Sequence, residues 1–169
     1  MDFREICAGS ENDIREMSKM ATEIVREHFD PIIGKEQNDY MLERFQSVGA
    51  IRNQLKNGYR YFFVSDGERK IGFFAFYPKG RNMYLSKFYL YKQERGKGYA
   101  HEMLSFIMEE TKKAGLDGIE LNVNKHNSAC RAYDRLGFEI IRSEKNDIGN
   151  GFYMDDYVYY KKVRNLDKY

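Results

Sequence analysis

The chain has 169 residues, the size of one ordinary domain. It carries 28 Lys and Arg against 26 Asp and Glu, so a formal net charge of +2 excludes a global basic field that would attract nucleic acid or an anionic membrane. Apolar and charged residues, 42% and 32%, are typical of a globular protein and not of a disordered one. Aromatic residues are abundant, with 14 Tyr and 12 Phe but no Trp.

The cysteines and the N-terminal residues both indicate the cellular compartment in which the protein works. Cys7 and Cys130 are far apart and fit neither a CxxC pair nor a disulfide framework, which indicates two free thiols in a reducing compartment. The opening stretch MDFREICAGS is charged at once and resembles no signal peptide, and no apolar run is long enough to span a membrane. We therefore expect a cytoplasmic protein that interacts with neither membrane nor nucleic acid.

The first third of the chain is predicted to be helical. Apolar residues recur every three or four positions from 14 to 25, which indicates an amphipathic helix. Asp30-Pro31 should end this helix, because the residue before a proline avoids helical geometry. Two shorter helices are predicted at 37–45 and 50–56.

Strands follow, and then strands alternate with helices. Aromatic, β-prone runs predict three consecutive antiparallel strands at 59–65, 71–77 and 83–91. The remaining pattern predicts a helix from 100 to 114, an alternating strand at 119–123, a short helix at 127–136, and strands at 138–141 and 154–161. This order indicates one α/β domain with a mixed sheet.

The clearest chemical pattern lies between the third predicted strand and the next helix, in Arg95-Gly96-Lys97-Gly98-Tyr99-Ala100. A helix N-terminus has unpaired backbone N–H groups and partial positive charge, so it attracts phosphate. The two glycines let the main chain approach such a ligand closely, and Arg95 and Lys97 add cationic donors. The pattern predicts a site for a phosphate or pyrophosphate group.

Two familiar phosphate-binding fingerprints do not fit this loop. A dinucleotide-binding GxGxxG starting at Gly96 needs glycine or alanine at position 101, where His101 stands. The nucleotide loop GxxxxGK[ST] is absent. A nucleotide- or nucleic-acid-binding domain is therefore disfavoured among the alternatives.

Two sequence blocks resemble the GNAT superfamily of N-acetyltransferases. Arg95-x-x-Gly98-x-Ala100 fits the Q/R-x-x-G-x-G/A loop that binds acetyl-CoA in that family. The stretch 121–138, LNVNKHNSACRAYDRLGF, resembles its second block, with matching positions at Asn127, Ala129, Tyr133, Gly137 and Phe138. The resemblance implies a GNAT fold: α/β, with a mixed, mostly antiparallel central sheet of about six to seven strands, flanked by helices on both faces, in a single domain over residues 1–169.

The resemblance also implies roles for individual residues. The loop from Arg95 to Ala100 would hold the CoA pyrophosphate through its backbone N–H groups. The main-chain N–H of Leu90 would hold the thioester carbonyl, with Tyr91 and Lys92 continuing along the pantetheine. Asn127 would contact the pantetheine arm and fix the turn that follows.

Tyr133 is implied as the general acid that protonates the departing CoA thiolate. A phenol has an ordinary pKa near 10, so it is protonated at neutral pH and can donate a proton to a thiolate within reach. Its place six residues after Asn127 favours this role over that of an ordinary packed helix tyrosine.

The proton acceptor for the attacking amine is less sharply indicated. An amine with a pKa of about 10.4 is neutral in only about one part in 2,500 at pH 7, so a base or desolvation must help. Glu120, on the polar face of a predicted strand, is the first candidate, and an exposed strand carboxylate without a catalytic role is an equally good interpretation. We interpret His101 and His126 as structural, and no residue grouping has metal-like spacing, so we predict no metal.

The last predicted hairpin carries Asp155 and Asp156, either of which can pair with a cationic acceptor. Adjacent residues on a strand point to opposite faces, so at most one of the two is expected to do so. The resemblance thus implies an N-acetyltransferase that uses acetyl-CoA and a primary amine of a polyamine, amino acid, aminoglycoside or peptide N-terminus. The main alternative is a non-catalytic acyl-CoA-binding regulatory module, and a homodimer formed through sheet edges is open by analogy.

Overall fold

The computed structural model describes residues 1–163, so the last six residues of the predicted domain lie outside the described residues. Seven strands, five α-helices and one 3₁₀ turn occur in this range. In chain order they are β1 (Asp2–Glu5), α1 (Glu11–Ile33), α2 (Lys35–Gln46), α3 (Val48–Lys56), β2 (Arg60–Asp66), β3 (Arg69–Lys79), β4 (Asn82–Leu90), the 3₁₀ turn (Lys92–Glu94), α4 (Tyr99–Lys113), β5 (Gly118–Asn124), α5 (Ala129–Arg135), β6 (Glu139–Gly149) and β7 (Phe152–Lys162).

The strands form a seven-stranded mixed sheet in the order β1-β2-β3-β4-β5-β7-β6. Strands β4 and β5 run parallel, with Asn82–Tyr84 in register with Gly118–Glu120. The pairs β1/β2, β2/β3, β5/β7 and β6/β7 are antiparallel. The prediction of an α/β fold with a mixed sheet of six to seven strands is confirmed.

The chain groups into two compact units, and the first comprises Met1–Tyr77 and Lys87–Ala100. Its core joins the apolar stripe of α1, including Ile14, Met17 and Ile24, to aromatic side chains of β2 and β3. On the opposite face of those strands Phe62, Phe74 and Phe76 stack, with ring centroids 5.1 to 6.0 Å apart. Much of the aromatic excess is therefore core material in this unit.

The second unit comprises Pro78–Ser86 together with His101 and the residues after it. Alternation on β5 buries Ile119, Leu121 and Val123, as its sequence pattern predicts. The longest ladder of this unit joins β6 and β7, from Glu139↔Tyr160 to Gly149↔Phe152. Whether all 169 residues form a single domain stays a prediction.

The predicted end of the first helix is wrong. Helix α1 continues through Pro31 to Ile33, and the Gly34 N–H donates to the Asp30 carbonyl at 3.1 Å. Proline in the last turn removes one backbone hydrogen bond. In the same turn the Asp30 carboxylate accepts from Asn38 Nδ2 of α2 at 2.6 Å, which holds the end of α1 against the next helix. The helix therefore tolerates a residue pair that usually terminates one.

One strand was not predicted and another was predicted too short, because neither shows alternating apolar residues. Strand β1 has only four residues, DFRE, and is held by pairing with β2. Strand β6 was predicted only for 138–141, but it extends to Gly149 through polar, mostly exposed residues. Both lie at the edges of the sheet, where little burial is needed and the pattern is weak. Among residues 1–163, no helix is both long and apolar enough to cross a membrane.

Candidate active site

The end of β4 presents a backbone N–H of defined direction. The Tyr91 N–H donates to the Ile71 carbonyl of β3 at 3.0 Å. Because successive N–H groups of a strand point to opposite edges, the Leu90 N–H is directed away from β3. Gly72 of β3 permits this path, since a Cβ there would lie 2.2 Å from the Tyr89 carbonyl oxygen. The role of Leu90 as donor to the thioester carbonyl stays a prediction.

The loop after β4 contains two residues in the left-handed region of backbone space. Gly96 has φ +77° and Gly98 has φ +85°, and a Cβ on either would meet nothing within 4 Å. Glycine is therefore needed for the conformation rather than for space. The loop leads directly into α4, which begins at Tyr99, so unpaired N–H groups of the first helical turn follow the two glycines.

The side chain of Arg95 turns back toward β4. Its Nη2 donates to the Leu90 carbonyl oxygen at 3.4 Å, and its Nη1 lies 3.4 Å from His28 Nδ1 on α1. The guanidinium therefore ties the loop to the strand end and leaves part of its donor set for an anion.

A buried carboxylate that the sequence pattern did not reveal anchors the loop. Glu94 is 4% exposed, and its Oε1 pairs with Arg69 Nε at 3.0 Å while its Oε2 pairs with Lys97 Nζ at 3.3 Å. Tyr99 donates to Asp66 Oδ2 at 2.6 Å, and this hydrogen bond lowers the pKa of the Asp66 carboxyl. The cations near the loop are thus partly neutralised and held in place.

Tyr91 and Lys92 follow β4. Tyr91 donates its hydroxyl to Glu23 Oε2 of α1 at 2.8 Å, and burial together with that carboxylate raises the pKa of the phenol. Lys92 opens the 3₁₀ turn. The hydroxyl of Tyr91 therefore serves the packing of α1 against the strand end.

Lys87 on β4 is a second buried charged residue that the sequence analysis did not predict. It is 4% exposed, and its Nζ donates to the Phe45 carbonyl at 2.7 Å, to Gln54 Oε1 at 2.9 Å and to the Tyr61 hydroxyl. Burial lowers the pKa of this amine. Its three donors match three acceptors, so it joins β4 to α2, α3 and β2.

In the second unit, Asn127 and Tyr133 belong to the segment around α5. Asn127 is buried, and its Oδ1 accepts from the Ala129 N–H at 2.8 Å, which fixes the turn into the helix. Tyr133 is half-buried, with its ring 5.7 Å from Phe138 and 5.9 Å from Tyr159. These ring contacts set the direction in which the phenol projects.

Glu120 lies on β5 beside two cations. Its Oε1 accepts from Arg142 Nη2 at 2.8 Å and lies 3.9 Å from Lys79 Nζ, while Asn82 Nδ2 lies 3.5 Å from its other oxygen. Glu120 stays a prediction as the base.

The two aspartates of β7 differ in environment. Asp155 pairs with Lys125 Nζ at 3.1 Å, and 46% of its side chain is exposed. Asp156 is 1% exposed, and its Oδ2 accepts from Asn122 Nδ2 at 3.3 Å. Burial, with Glu144 and Asp155 close by, raises the pKa of the Asp156 carboxyl.

The predicted residues therefore fall into two groups. The first unit holds the predicted CoA-binding residues from Leu90 to Ala100, and the second holds Glu120, Asn127 and Tyr133. Motif spacing identified the loop and the α5 segment. Glu94 and Lys87 were not predicted, because their contacts with Arg69 and with Phe45, Gln54 and Tyr61 are distant in sequence and no local pattern marks them.

Solved structures share this fold at low sequence identity. The PaiA N-acetyltransferase of Thermoplasma acidophilum, in complex with coenzyme A, has a TM-score of 0.75 at 20% identity over 96% of this chain and 99% of that one. The ribosomal-protein-S18-alanine N-acetyltransferase of Escherichia coli has a TM-score of 0.66 at 14% identity, over 98% and 95%. Aminoglycoside 6'-acetyltransferase type Ii has a TM-score of 0.64 at 16% identity, over 98% and 99%.

Sequence comparison gives the family directly. No curated protein matches the chain. Residues 29–157 match the model of the acetyltransferase (GNAT) domain. The resemblance drawn from the loop and the α5 segment is thereby confirmed, and the chain belongs to the GNAT acetyltransferase family.

Proposed function

We propose that this protein is an N-acetyltransferase that transfers the acetyl group of acetyl-CoA directly to a primary amine of a small molecule or a peptide N-terminus. The observation that carries the proposal is the loop of Gly96 and Gly98, which opens α4 directly after a strand end whose Leu90 N–H points away from β3. Coenzyme A in the Thermoplasma acidophilum relative supports the identity of the co-substrate.

The chain supplies three functions to this reaction. Backbone N–H groups of the loop bind the pyrophosphate, and Arg95 adds charge. The Leu90 N–H donates to the thioester carbonyl and stabilises the negative charge that develops there when the amine attacks. Tyr133 donates its phenolic proton to the sulfur when the C–S bond breaks.

The acceptor class is open among amines. The aminoglycoside and ribosomal-protein acetyltransferases are neighbours in fold, which supports both small-molecule and protein N-terminal acceptors. We place the reaction in the cytoplasm, where a reducing environment suits the free thiols of Cys7 and Cys130.

A turnover screen tests the proposal. Acetyl-CoA is incubated with the protein and one member of each class: spermidine, kanamycin, lysine or a peptide with a free N-terminal alanine. Thiol release and the mass of the product are measured. We expect acetylation of at least one amine. Tight binding of acetyl-CoA without acetylation of any amine would instead indicate a regulatory CoA-binding module.

Tyr133→Phe tests the general acid. Loss of a positioned acid lowers kcat by about 10² to 10⁴-fold, while the affinity for acetyl-CoA should not change. Tyr153→Phe is the matched control, because Tyr153 lies on β7 with 48% exposure. Equal kcat values for the Tyr133→Phe variant and the wild type would remove Tyr133 from the mechanism.

A further inference from the structure

Helix α5, which carries Tyr133, depends on other elements to keep its position. It has only seven residues, and none of the described residues Ala129–Arg135 is buried. A helix this short is marginal in water, and a helix without a buried face gains little from packing. The direction of the Tyr133 phenol is therefore decided by the side chains that reach α5 from outside.

Tyr159 is the aromatic residue that joins β7 to this helix. Its ring centroid lies 5.9 Å from that of Tyr133, and its hydroxyl donates to the Cys130 carbonyl oxygen at 3.5 Å. Burial raises the pKa of the Tyr159 phenol, and neighbouring Cys130 and Asp134 raise it further. Cys130, Tyr133 and Asp134 stand at positions i, i+3 and i+4, which share one face of a helix. The Tyr159 side chain therefore lies along the face of α5 from which Tyr133 projects.

Phe138 also packs against Tyr133, but it belongs to the same local segment. The two ring centroids are 5.7 Å apart in an edge-to-face arrangement, and the Phe138 N–H donates to the Tyr133 carbonyl oxygen at 3.1 Å. Phe138 is thus part of the turn that ends α5, and it moves with the helix. Tyr159 comes from the sheet, so its ring is the contact that relates the Tyr133 phenol to β7.

Tyr159 is itself held firmly in the sheet. It is 1% exposed, and it pairs with Leu121 of β5 on one side and with Ile140 of β6 on the other. Lys161 lies two residues further and therefore on the same face of β7, with its Nζ 2.6 Å from the position that a Cβ of Gly137 would take. Strand β7 thus reaches both the start of α5 and the turn after its end. A close-packed residue between two strands gives the helix a fixed reference point.

We propose that Tyr159 is a positioning residue for acetyl transfer: its buried ring and its hydroxyl hold α5 on β7 and so fix the direction in which Tyr133 projects. The role of Tyr159 rests on the proposed function, in which Tyr133 is the general acid. A general acid donates only within about 2.6–3.2 Å of the atom that it protonates, and a displacement of about 1 Å costs about 10²-fold in rate. Tyr159 therefore acts on turnover through Tyr133.

The test compares Tyr159→Leu and Tyr159→Phe with the wild type. The best amine from the screen is used, kcat is measured at saturating acetyl-CoA and amine, and the Kd of acetyl-CoA is measured by calorimetry. Tyr159→Leu removes both the ring and the hydroxyl, so kcat should fall about 10²-fold while the Kd of acetyl-CoA stays within about threefold of wild type. Tyr159→Phe keeps the ring and loses one hydrogen bond, so its kcat should stay within about tenfold of wild type.

A matched control and a double-mutant cycle separate positioning from a general loss of stability. Tyr160→Leu makes the same change on the opposite face of β7, where the Tyr160 ring lies against Gly118, and its kcat should stay within about threefold of wild type. In Tyr133→Phe the acid is already missing, so adding Tyr159→Leu should lower kcat by no more than about threefold further. If Tyr159→Leu lowers kcat by the same factor in both backgrounds, Tyr159 supports only the fold and the proposal is overturned.

The remaining outcomes distinguish the role of Tyr159 from the proposed function. If Tyr159→Leu keeps kcat within about threefold of wild type while Tyr133→Phe is slow, the role of Tyr159 is overturned and the general acid stands. If Tyr133→Phe is as fast as the wild type, acetyl transfer stands and the roles of both tyrosines are overturned. Wild type that binds acetyl-CoA but acetylates no amine overturns the proposed function, and the role of Tyr159 with it. If circular dichroism shows Tyr159→Leu to be unfolded, Tyr159→Met replaces it, because methionine fills irregular core space without a ring.

Discussion

Substitution of Gly72 by alanine tests the link between the sheet and the predicted oxyanion donor. The new Cβ would lie 2.2 Å from the Tyr89 carbonyl oxygen, 3.0 Å from Leu90 Cδ2 and 3.1 Å from Leu90 Cα. Two of these three atoms belong to the backbone, so the contact cannot be relieved by a side-chain rotation. Strand β4 must move away from β3 by about 1 Å, which costs about 1–3 kcal/mol as overpacking.

The same movement should lengthen the hydrogen bond from the Tyr91 N–H to the Ile71 carbonyl, which adds about 0.5–1.5 kcal/mol. Gly72→Ala is therefore expected to lower the free energy of unfolding by about 2–4 kcal/mol in urea titrations. It should also lower kcat/KM for acetyl-CoA by about 10²-fold, because a reacting group displaced by 1 Å loses that much.

Gly49→Ala is the matched control. Gly49 lies in α3 with nothing within 4 Å of its Cβ position, so alanine there should raise stability by about 0.5–1 kcal/mol. A Gly72→Ala variant within about 0.5 kcal/mol of the wild type and with full turnover would show that β4 does not depend on this close approach.

Two further predictions concern buried carboxylates. Glu94→Gln should lower the free energy of unfolding, measured in urea, by about 1–3 kcal/mol, because it removes a buried charge that pairs with Arg69 and Lys97. The control is Glu109→Gln, which removes an exposed ion pair with Lys112; an equal or larger loss of stability in this control would contradict the prediction. Asp156 has a raised pKa in the folded state, so between the unfolded-state pKa of about 4 and the raised value the folded state binds more protons and stability falls as pH rises. The free energy of unfolding of Asp156→Asn, relative to that of the wild type, should therefore be higher at pH 7 than at pH 3.5. An equal difference at both pH values in urea titrations would show that the pKa of Asp156 is not raised in the folded state.

Local patterns were enough to predict most of the fold. The alternation of Ile119, Leu121 and Val123 predicted β5, and the helical stripe that begins at Ile14 predicted α1. Both patterns exist because one face of each element is buried. The exposed edge strand β6 gave no such signal beyond its first residues, and Pro31 did not end a helix whose last turn is stabilised by other contacts.

The candidate site divides in the same way. Gly98 of the loop and Asn127 stand at positions that match the two sequence blocks of the family, so the sequence alone predicted the loop and the turn. The environment of a charge depends on partners far along the chain: Glu94 meets Arg69, and Asp156 meets Asn122 and Glu144. Such pairings arise only when the sheet is assembled, which is why both aspartates of β7 were equal candidates beforehand.

At Gly96 and Gly98, in the loop after β4, the left-handed backbone conformation requires glycine, whereas the size of a side chain does not. The space around each Cβ position is empty, and only the sign of φ excludes an ordinary side chain. A D-amino acid, whose preferred φ values are positive, would satisfy the backbone at Gly96 and Gly98. Chemical synthesis with D-alanine at these positions would therefore stiffen the loop in its present shape.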